Sequence, residues 1–270
     1  MGAPTGFYTP IVEFEQLLAE GLSLDVEAYW GAGLLPERLS AESPSWSYPA
    51  IARSILSKAQ SALDMGTGEG GVLASLAPSP RLTVAYEGWW PTIAAAQERL
   101  EPLGVYLVVA LGSADNVNEP DLRRHRPGLP FCSEAFDVIM NRHEAFDPFE
   151  IRRIIKQGGR FLTQQVGSDE AASVRTLLGL PVDRSAWAAA QAVDQLQPAG
   201  WTIDDVREDQ LTMKFADIAA LIGYVRTLPW AYRDLDWASV RPRLQQLHVI
   251  SQSDPIEAIS HRFLVLARAS

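Results

Sequence analysis

One cysteine, Cys132, occurs in the 270 residues, so no internal disulfide can form. The four histidines, His125, His143, His248 and His261, are scattered and never take up the spacing of a metal-ligating motif, so no metal is expected. Basic residues are in short supply: 23 Lys and Arg stand against 33 Asp and Glu, a formal charge of −10 with a pI near 4.9. That balance disfavours a broad electrostatic footprint for nucleic acid or an anionic membrane, and leaves a small molecule or a protein as the expected substrate. No run of about 18 apolar residues occurs, and no basic region followed by an apolar stretch opens the chain. A soluble protein in a reducing cytoplasm is the expectation. Internal repeats, low-complexity tracts and a clear interdomain linker are missing as well. What is there, 47% apolar residues, can furnish the core of one domain with elaborations.

The chain turns on Ser61–Gly71, which reads Ser-Ala-Leu-Asp-Met-Gly-Thr-Gly-Glu-Gly-Gly. Ala62 and Leu63 suit a buried strand, and the glycines then permit a sharp turn where Cβ atoms would block both the backbone and a ligand. A helix is expected from Val72, its first N–H groups lacking intrahelical partners and favouring carboxylate or phosphate oxygens. Gly66-x-Gly68-x-Gly70 and Gly66-x-Gly68-x-x-Gly71 are both present, and the second is the dinucleotide fingerprint. The glycines therefore leave two classes of nucleotide-type cofactor open. Asp64 falls just before them, and Glu87 follows about 20 residues on, at the end of the apolar run Leu82–Tyr86. An acid at that second strand end can accept hydrogen bonds from both hydroxyls of a ribose, whichever cofactor carries it.

From Ser61 onward short apolar runs alternate with helical ones, as in a parallel sheet with helices on both faces. Strands are predicted at Ala62–Met65, Leu82–Tyr86, Val105–Leu111, Phe136–Met140 and Arg160–Val166, and helices at Val72–Leu76, Pro91–Leu103 and Phe149–Lys156. Asp115–Leu129, with the basic cluster Arg123-Arg124-His125-Arg126, reads as a long solvated loop, and Cys132 near its end as a structural thiol. Before Ser61, helical patterns are expected to end near Gly21, to run from Leu24 to Trp30 and to run from Trp46 to Lys58. Tyr29, Trp30, Trp46 and Tyr48 either pack these helices on the sheet or cover the pocket. Helices follow at Asp169–Leu178 and Trp187–Gln197, strands at Trp201–Arg207 and His261–Ala267. Between those strands lie a helical face of Phe215, Ile218, Leu221, Ile222 and Val225 and a helix around Val240–Leu247.

Leu-Asp-x-Gly-x-Gly-x-Gly, starting at Leu63, resembles the first motif of class I S-adenosylmethionine-dependent methyltransferases. Lys156-Gln157-Gly158-Gly159 is similar to the junction this family places after its fourth strand, with the glycines expected as a left-handed helix cap. The resemblance implies an α/β fold: a Rossmann-like, doubly wound, seven-stranded, mostly parallel sheet with an antiparallel last strand. N-terminal helices would occupy residues 1–60 and a helical insertion about 209–256, where Trp230, Tyr232 and Trp237 are candidate pocket residues. It also implies S-adenosylmethionine as cofactor and methyl transfer to a small molecule. Asp64, Gly66, Thr67, Gly68 and Gly70 would surround the methionine part, Glu87 and Gly88 would meet the ribose, Ser113 and Ala114 the adenine, and Asn141 the methionine end. His143 would take a proton from the attacking oxygen or nitrogen with Glu144 orienting it, or else bond backbone or pack on the adenine. The competing readings are an NAD(P)-dependent oxidoreductase, through the overlapping fingerprint, and a protein that binds S-adenosylmethionine without turnover.

Overall fold

Short aliphatic runs broken by glycine, proline and polar turns set a strand–helix alternation over most of the chain. The computed structural model describes residues 9–26, 37–78, 80–110, 116, 128–182, 187–228, 231–232 and 235–270. In chain order the elements are α1 (Thr9–Ser23), β1 (Leu39–Ala41), α2 (Tyr48–Leu56), β2 (Ser61–Met65), α3 (Gly71–Ser75), β3 (Leu82–Glu87), α4 (Trp90–Leu100) and β4 (Tyr106–Val109). They continue with β5 (Phe136–Arg142), α5 (Pro148–Ile154), β6 (Ile155–Val166), α6 (Ser168–Leu177), α7 (Ala189–Leu196), β7 (Trp201–Phe215), α8 (Ile218–Arg226), α9 (Trp237–Ser251) and β8 (Ile256–Ala269). The strands form one sheet in the order β1-β7-β8-β6-β5-β2-β3-β4. Pairing is parallel from β6 through β5, β2 and β3 to β4, while β8 lies antiparallel to β6 and β1 antiparallel to β7.

The described residues divide into two compact units, one from 44–168, 185–209 and 261–270, the other from 1–43, 169–184 and 210–260. In the first, side chains alternate between two buried faces, as the period of a strand requires. Ala62, Ala85, Met140, Leu162 and Leu264 pack with Trp46, Tyr48 and α2. Leu63, Met65, Tyr86, Ile139, Phe161 and Phe263 pack on the other side with Phe146, Ile151, Trp187 and Trp201. Trp46 and Tyr48 are therefore core residues, while Tyr29 and Trp30 lie outside the described residues. The helix expected from Trp46 starts at Tyr48, because the Ser47 hydroxyl accepts the Ala50 N–H and caps it there.

Two expectations need correction. The sheet has eight strands, not seven: the three residues of β1 carry no strand signal of their own, and their pairing with Met213, Lys214 and Phe215 makes them a strand. Gly158-Gly159 caps no helix, because α5 ends at Ile154 and Ile155 is already extended. The register with β5 jumps from Phe136 opposite Ile155 to Val138 opposite Arg160, so the glycines sit in a bulge of β6, where Gly158 takes φ +75°. The first helix ends at Ser23, near Gly21 as expected. A Cβ on Gly21 would lie 2.8 Å from Ile222 Cβ and 3.0 Å from Ala219 Cα, so glycine lets α1 approach α8 closely.

That α1–α8 packing belongs to the second unit, whose core joins Phe14 and Leu18 to Phe215, Ile218, Leu221, Ile222, Val225 and Leu244. Of the candidate pocket residues, Tyr232 is buried and Trp237 packs against this core, while Trp230 lies outside the described residues. Asp217 both caps α8, accepting the Ala220 N–H at 3.0 Å, and holds Arg38 through Nε at 2.7 Å and Nη2 at 2.6 Å; Glu20 grips the same guanidinium. Removing the carboxylate deletes a cap and orphans part of a half-buried guanidinium. Asp217→Ala should cost about 2 kcal/mol, read as a lower urea midpoint with unchanged slope, and Asp217→Asn distinctly less because it keeps the cap. Among the described residues no helix is long and apolar enough to cross a membrane, and no cluster of His, Cys, Asp and Glu is placed to hold a metal.

Candidate functional site

At the carboxyl end of β2 the backbone reverses through Gly66, Gly68 and Gly70, with φ of +66°, +57° and +77°. Gly66 N–H and Thr67 N–H both donate to Tyr86 O, at 3.0 and 3.2 Å, tying the loop to the end of β3. Gly68 N–H donates to Glu87 Oε2 at 2.6 Å and Gly70 N–H to Thr67 O at 2.9 Å. These amides are thus spent within the loop and not held open as an anion nest. A Cβ on Gly66 would lie 2.6 Å from Glu144 Cβ, so its glycine is required by the side chain stacked over it. A Cβ on Gly68 would meet nothing within 4 Å among the described residues, which marks the open side of the loop.

Three carboxylates gather here. Asp64, on β2, is buried, and that burial, with a smaller contribution from the Glu87 charge, raises its pKa to about 7; Thr67 and Arg142 pull the other way. Glu144, half-buried after β5, is likewise raised to about 7 by burial and by Glu87. Glu87, at the end of β3, is 6% exposed and accepts from Gly68 N–H, Gly88 N–H at 2.8 Å and Trp89 N–H at 2.7 Å. A carboxylate offers about four lone-pair directions, so little capacity is left for a ribose while the Gly68 bond persists.

The end of β5 supplies the remaining groups. Asn141 Oδ1 accepts from Thr163 Oγ1 at 3.0 Å and Gln165 Nε2 at 2.6 Å, and Gln165 Nε2 also lies 3.0 Å from Glu144 O. Asn141 Nδ2 is buried with no hydrogen-bond partner among the described residues. His143 has φ +63°, uncommon for a side chain of its size, and its N–H donates to Gln164 O at 2.8 Å. Its ring Nε2 is 3.3 Å from Gln164 Nε2, and Gln164 Oε1 accepts the Trp46 indole N–H at 2.9 Å. The residue is exposed by area yet its ring is closely surrounded, and burial of the imidazole together with the Arg142 and Arg262 charges holds its pKa well below the usual range. Asp147 caps α5 through Phe149 N–H and Glu150 N–H, which fixes where the segment leaves the sheet.

The expected residues Asp64, Gly66, Thr67, Gly68, Gly70, Glu87, Gly88, Asn141, His143 and Glu144 thus all fall at the carboxyl ends of β2, β3 and β5. Glu144 reaches toward Gly66, and no hydrogen bond joins it to the His143 ring. Ser113, Ala114 and the cluster Arg123 to Arg126 lie outside the described residues, and Cys132 is exposed. Sequence reasoning missed Gln164 and Arg262 as neighbours of the site. Two adjacent glutamines ending an otherwise apolar strand, Gln164-Gln165, were the available signal.

Counted from β2, the seven longer strands cross the sheet as third, second, first, fourth, fifth, seventh and sixth, with the seventh antiparallel to the fifth. The fold is that of the class I methyltransferases. Among solved structures this methyltransferase fold matches the YcgJ protein from Bacillus subtilis, at 15% identity and a TM-score of 0.56, over 82% of this chain and 97% of that one. It also matches a candidate methyltransferase from Bacillus halodurans, at 17% identity and a TM-score of 0.54, over 83% of this chain and 99% of the other. No family model matches the chain, and no curated protein does. In open α/β sheets ligands bind outside the carboxyl ends of the strands, and in this methyltransferase fold that edge carries the glycine loop and its three acids.

Proposed function

We propose that the protein transfers a methyl group from S-adenosylmethionine to a small-molecule acceptor. The observation that carries this reading is the pairing of a glycine loop whose amides are internally bonded with three surrounding carboxylates, Asp64, Glu87 and Glu144. A dinucleotide pyrophosphate needs free amides and an absence of anions, whereas a sulfonium and an ammonium group are complemented by acids. The donor set therefore fits S-adenosylmethionine, and the open side over Gly68 leaves room for it. When bound, the cofactor supplies a methyl group on a positively charged sulfur that leaves readily.

The chain's part is then to bind, to align and to exclude water. Asp64, Gly66, Thr67, Gly68 and Gly70 hold the methionine portion, and Glu144 adds negative charge beside Gly66. Glu87 and Gly88 meet the ribose, with the Gly68 N–H giving up its share of the Glu87 carboxylate to the sugar hydroxyls. The acidity of the whole chain supports a small acceptor over a nucleic acid. Calorimetry with S-adenosylmethionine, S-adenosylhomocysteine and NADPH tests the reading: binding of the first two and none of the third is expected. Binding of NADPH alone would overturn it.

A further inference from the structure

Strand pairing sorts charge along the sheet's carboxyl edge. Asp64 pairs with Ala85 and Met140, and Arg142, two residues beyond Met140, pairs with Gln164. Val166, two beyond Gln164, pairs with Arg262 on β8. Because side chains alternate along a strand and paired residues project to the same side, Asp64, Glu87, Arg142, Gln164 and Arg262 share one face. Acids stand on β2 and β3, guanidinium groups on β5 and β8. Arg142 is exposed, and among the described residues no hydrogen bond or ion pair holds its guanidinium. Arg262 gives an N–H to His261 O at 3.0 Å and is engaged by a further partner as well.

Beside these cations the His143 ring has a defined proton position. Indole Nε1–H can only donate, so the Trp46 bond identifies the Gln164 side-chain atom it meets as oxygen. The atom facing His143 Nε2 is then the amide nitrogen, which also can only donate. His143 Nε2 must accept, and the ring proton sits on Nδ1. With its lone pair engaged and two arginine charges opposing protonation, the imidazole is a neutral N–H donor and lacks a free nitrogen for accepting a proton. The left-handed backbone at His143 is strained for a side chain of its size, and the bond from its N–H to Gln164 O helps sustain it.

We propose that Arg142, Arg262 and the Nδ1–H of His143 form a subsite for an anionic oxygen group, carboxylate or phosphate, on the methyl acceptor. The subsite rests on the methyltransferase reading for its role, with the cationic donor over the acids and the anionic acceptor over the arginines. Within it His143 binds substrate and does not remove its proton.

The test uses benzoate, phenyl phosphate and the uncharged benzamide as probes, titrated by calorimetry with and without saturating S-adenosylhomocysteine. Either anion should bind at least tenfold more tightly than benzamide, and the better of the two identifies the group. Arg142→Gln and Arg262→Gln should each weaken the anion at least tenfold while changing affinity for S-adenosylhomocysteine less than threefold. In 15N spectra of the wild-type protein, the His143 ring should show a protonated Nδ1 and an unprotonated Nε2 at pH 7, with Nδ1 shifting on addition of the anion. Equal binding of benzamide, indifference to both substitutions, or a proton on Nε2 would overturn the subsite. Selective anion binding without any binding of S-adenosylhomocysteine would keep the subsite and remove the methyltransferase reading instead.

Discussion

Gly68→Ala should reduce affinity for S-adenosylmethionine at least a hundredfold, a loss of about 2.7 kcal/mol in binding, while costing the fold itself only about 1 kcal/mol. The asymmetry follows from what surrounds the position. Among the described residues, chain neighbours aside, no atom lies within 4 Å of the Cβ that alanine would add, so the unliganded protein bears only the left-handed backbone penalty at φ +57°. A ligand seated on the open side of the loop would meet that methyl group directly. Gly66→Ala is the companion case with the opposite balance: its Cβ would lie 2.6 Å from Glu144 Cβ and 2.8 Å from Glu144 Cγ. Overpacking there adds about 1–3 kcal/mol to the backbone penalty, so both stability and binding should fall. Calorimetric titration and urea unfolding of the two variants separate the effects. Wild-type affinity in Gly68→Ala would mean that the cofactor does not lie over this loop.

The parts of this arrangement legible in the sequence are those that local chemistry dictates. Ala62 to Met65 could only be a buried strand, the glycines after it could only be a turn, and Asp64 and Glu87 fall at strand ends because the strands stop there. Local pattern failed where tertiary pairing decides. Leu39-Ser40-Ala41 is a strand because Phe215 is opposite it, and Gly158 sits in a bulge because Arg160, and not Gln157, matches Val138. Gly21 does stand near the end of α1, but that its missing side chain serves the approach of a helix some 200 residues further on has no local signal. The site shows the same division. His143 and Glu144 were found from their place after β5, but which ring nitrogen of His143 is engaged depends on Gln164, and what Gln164 offers depends on Trp46. That chain of bonds joins three distant segments, and no spacing rule connects them.

Affinity for S-adenosylmethionine should rise at least tenfold between pH 6 and pH 8 while the unliganded protein becomes less stable from pH 6.5 to pH 8. Both signs come from Asp64 and Glu144, whose pKa values of about 7 lie far above those of an unfolded chain. A raised carboxyl group contributes its full stability below the unfolded pKa and loses it as pH climbs through the folded one, because the folded state then binds more protons than the unfolded state. His143, held neutral in the fold, titrates the other way, but most of its effect falls below about pH 6.5 and what remains above it is too small to reverse the sign set by two carboxyl groups. A cation placed among the acids favours their ionised forms, so the complex holds fewer protons and binding strengthens with pH. At pH 7 each group is near half protonated, and binding should release about one proton in all, measurable by calorimetry in two buffers of different ionisation enthalpy. Asp64→Asn should remove close to half of that release, and S-adenosylhomocysteine, which lacks the sulfonium charge, should show a shallower dependence. Proton uptake on binding, or affinity that falls across this range, would mean that Asp64 and Glu144 do not face the charge of the cofactor.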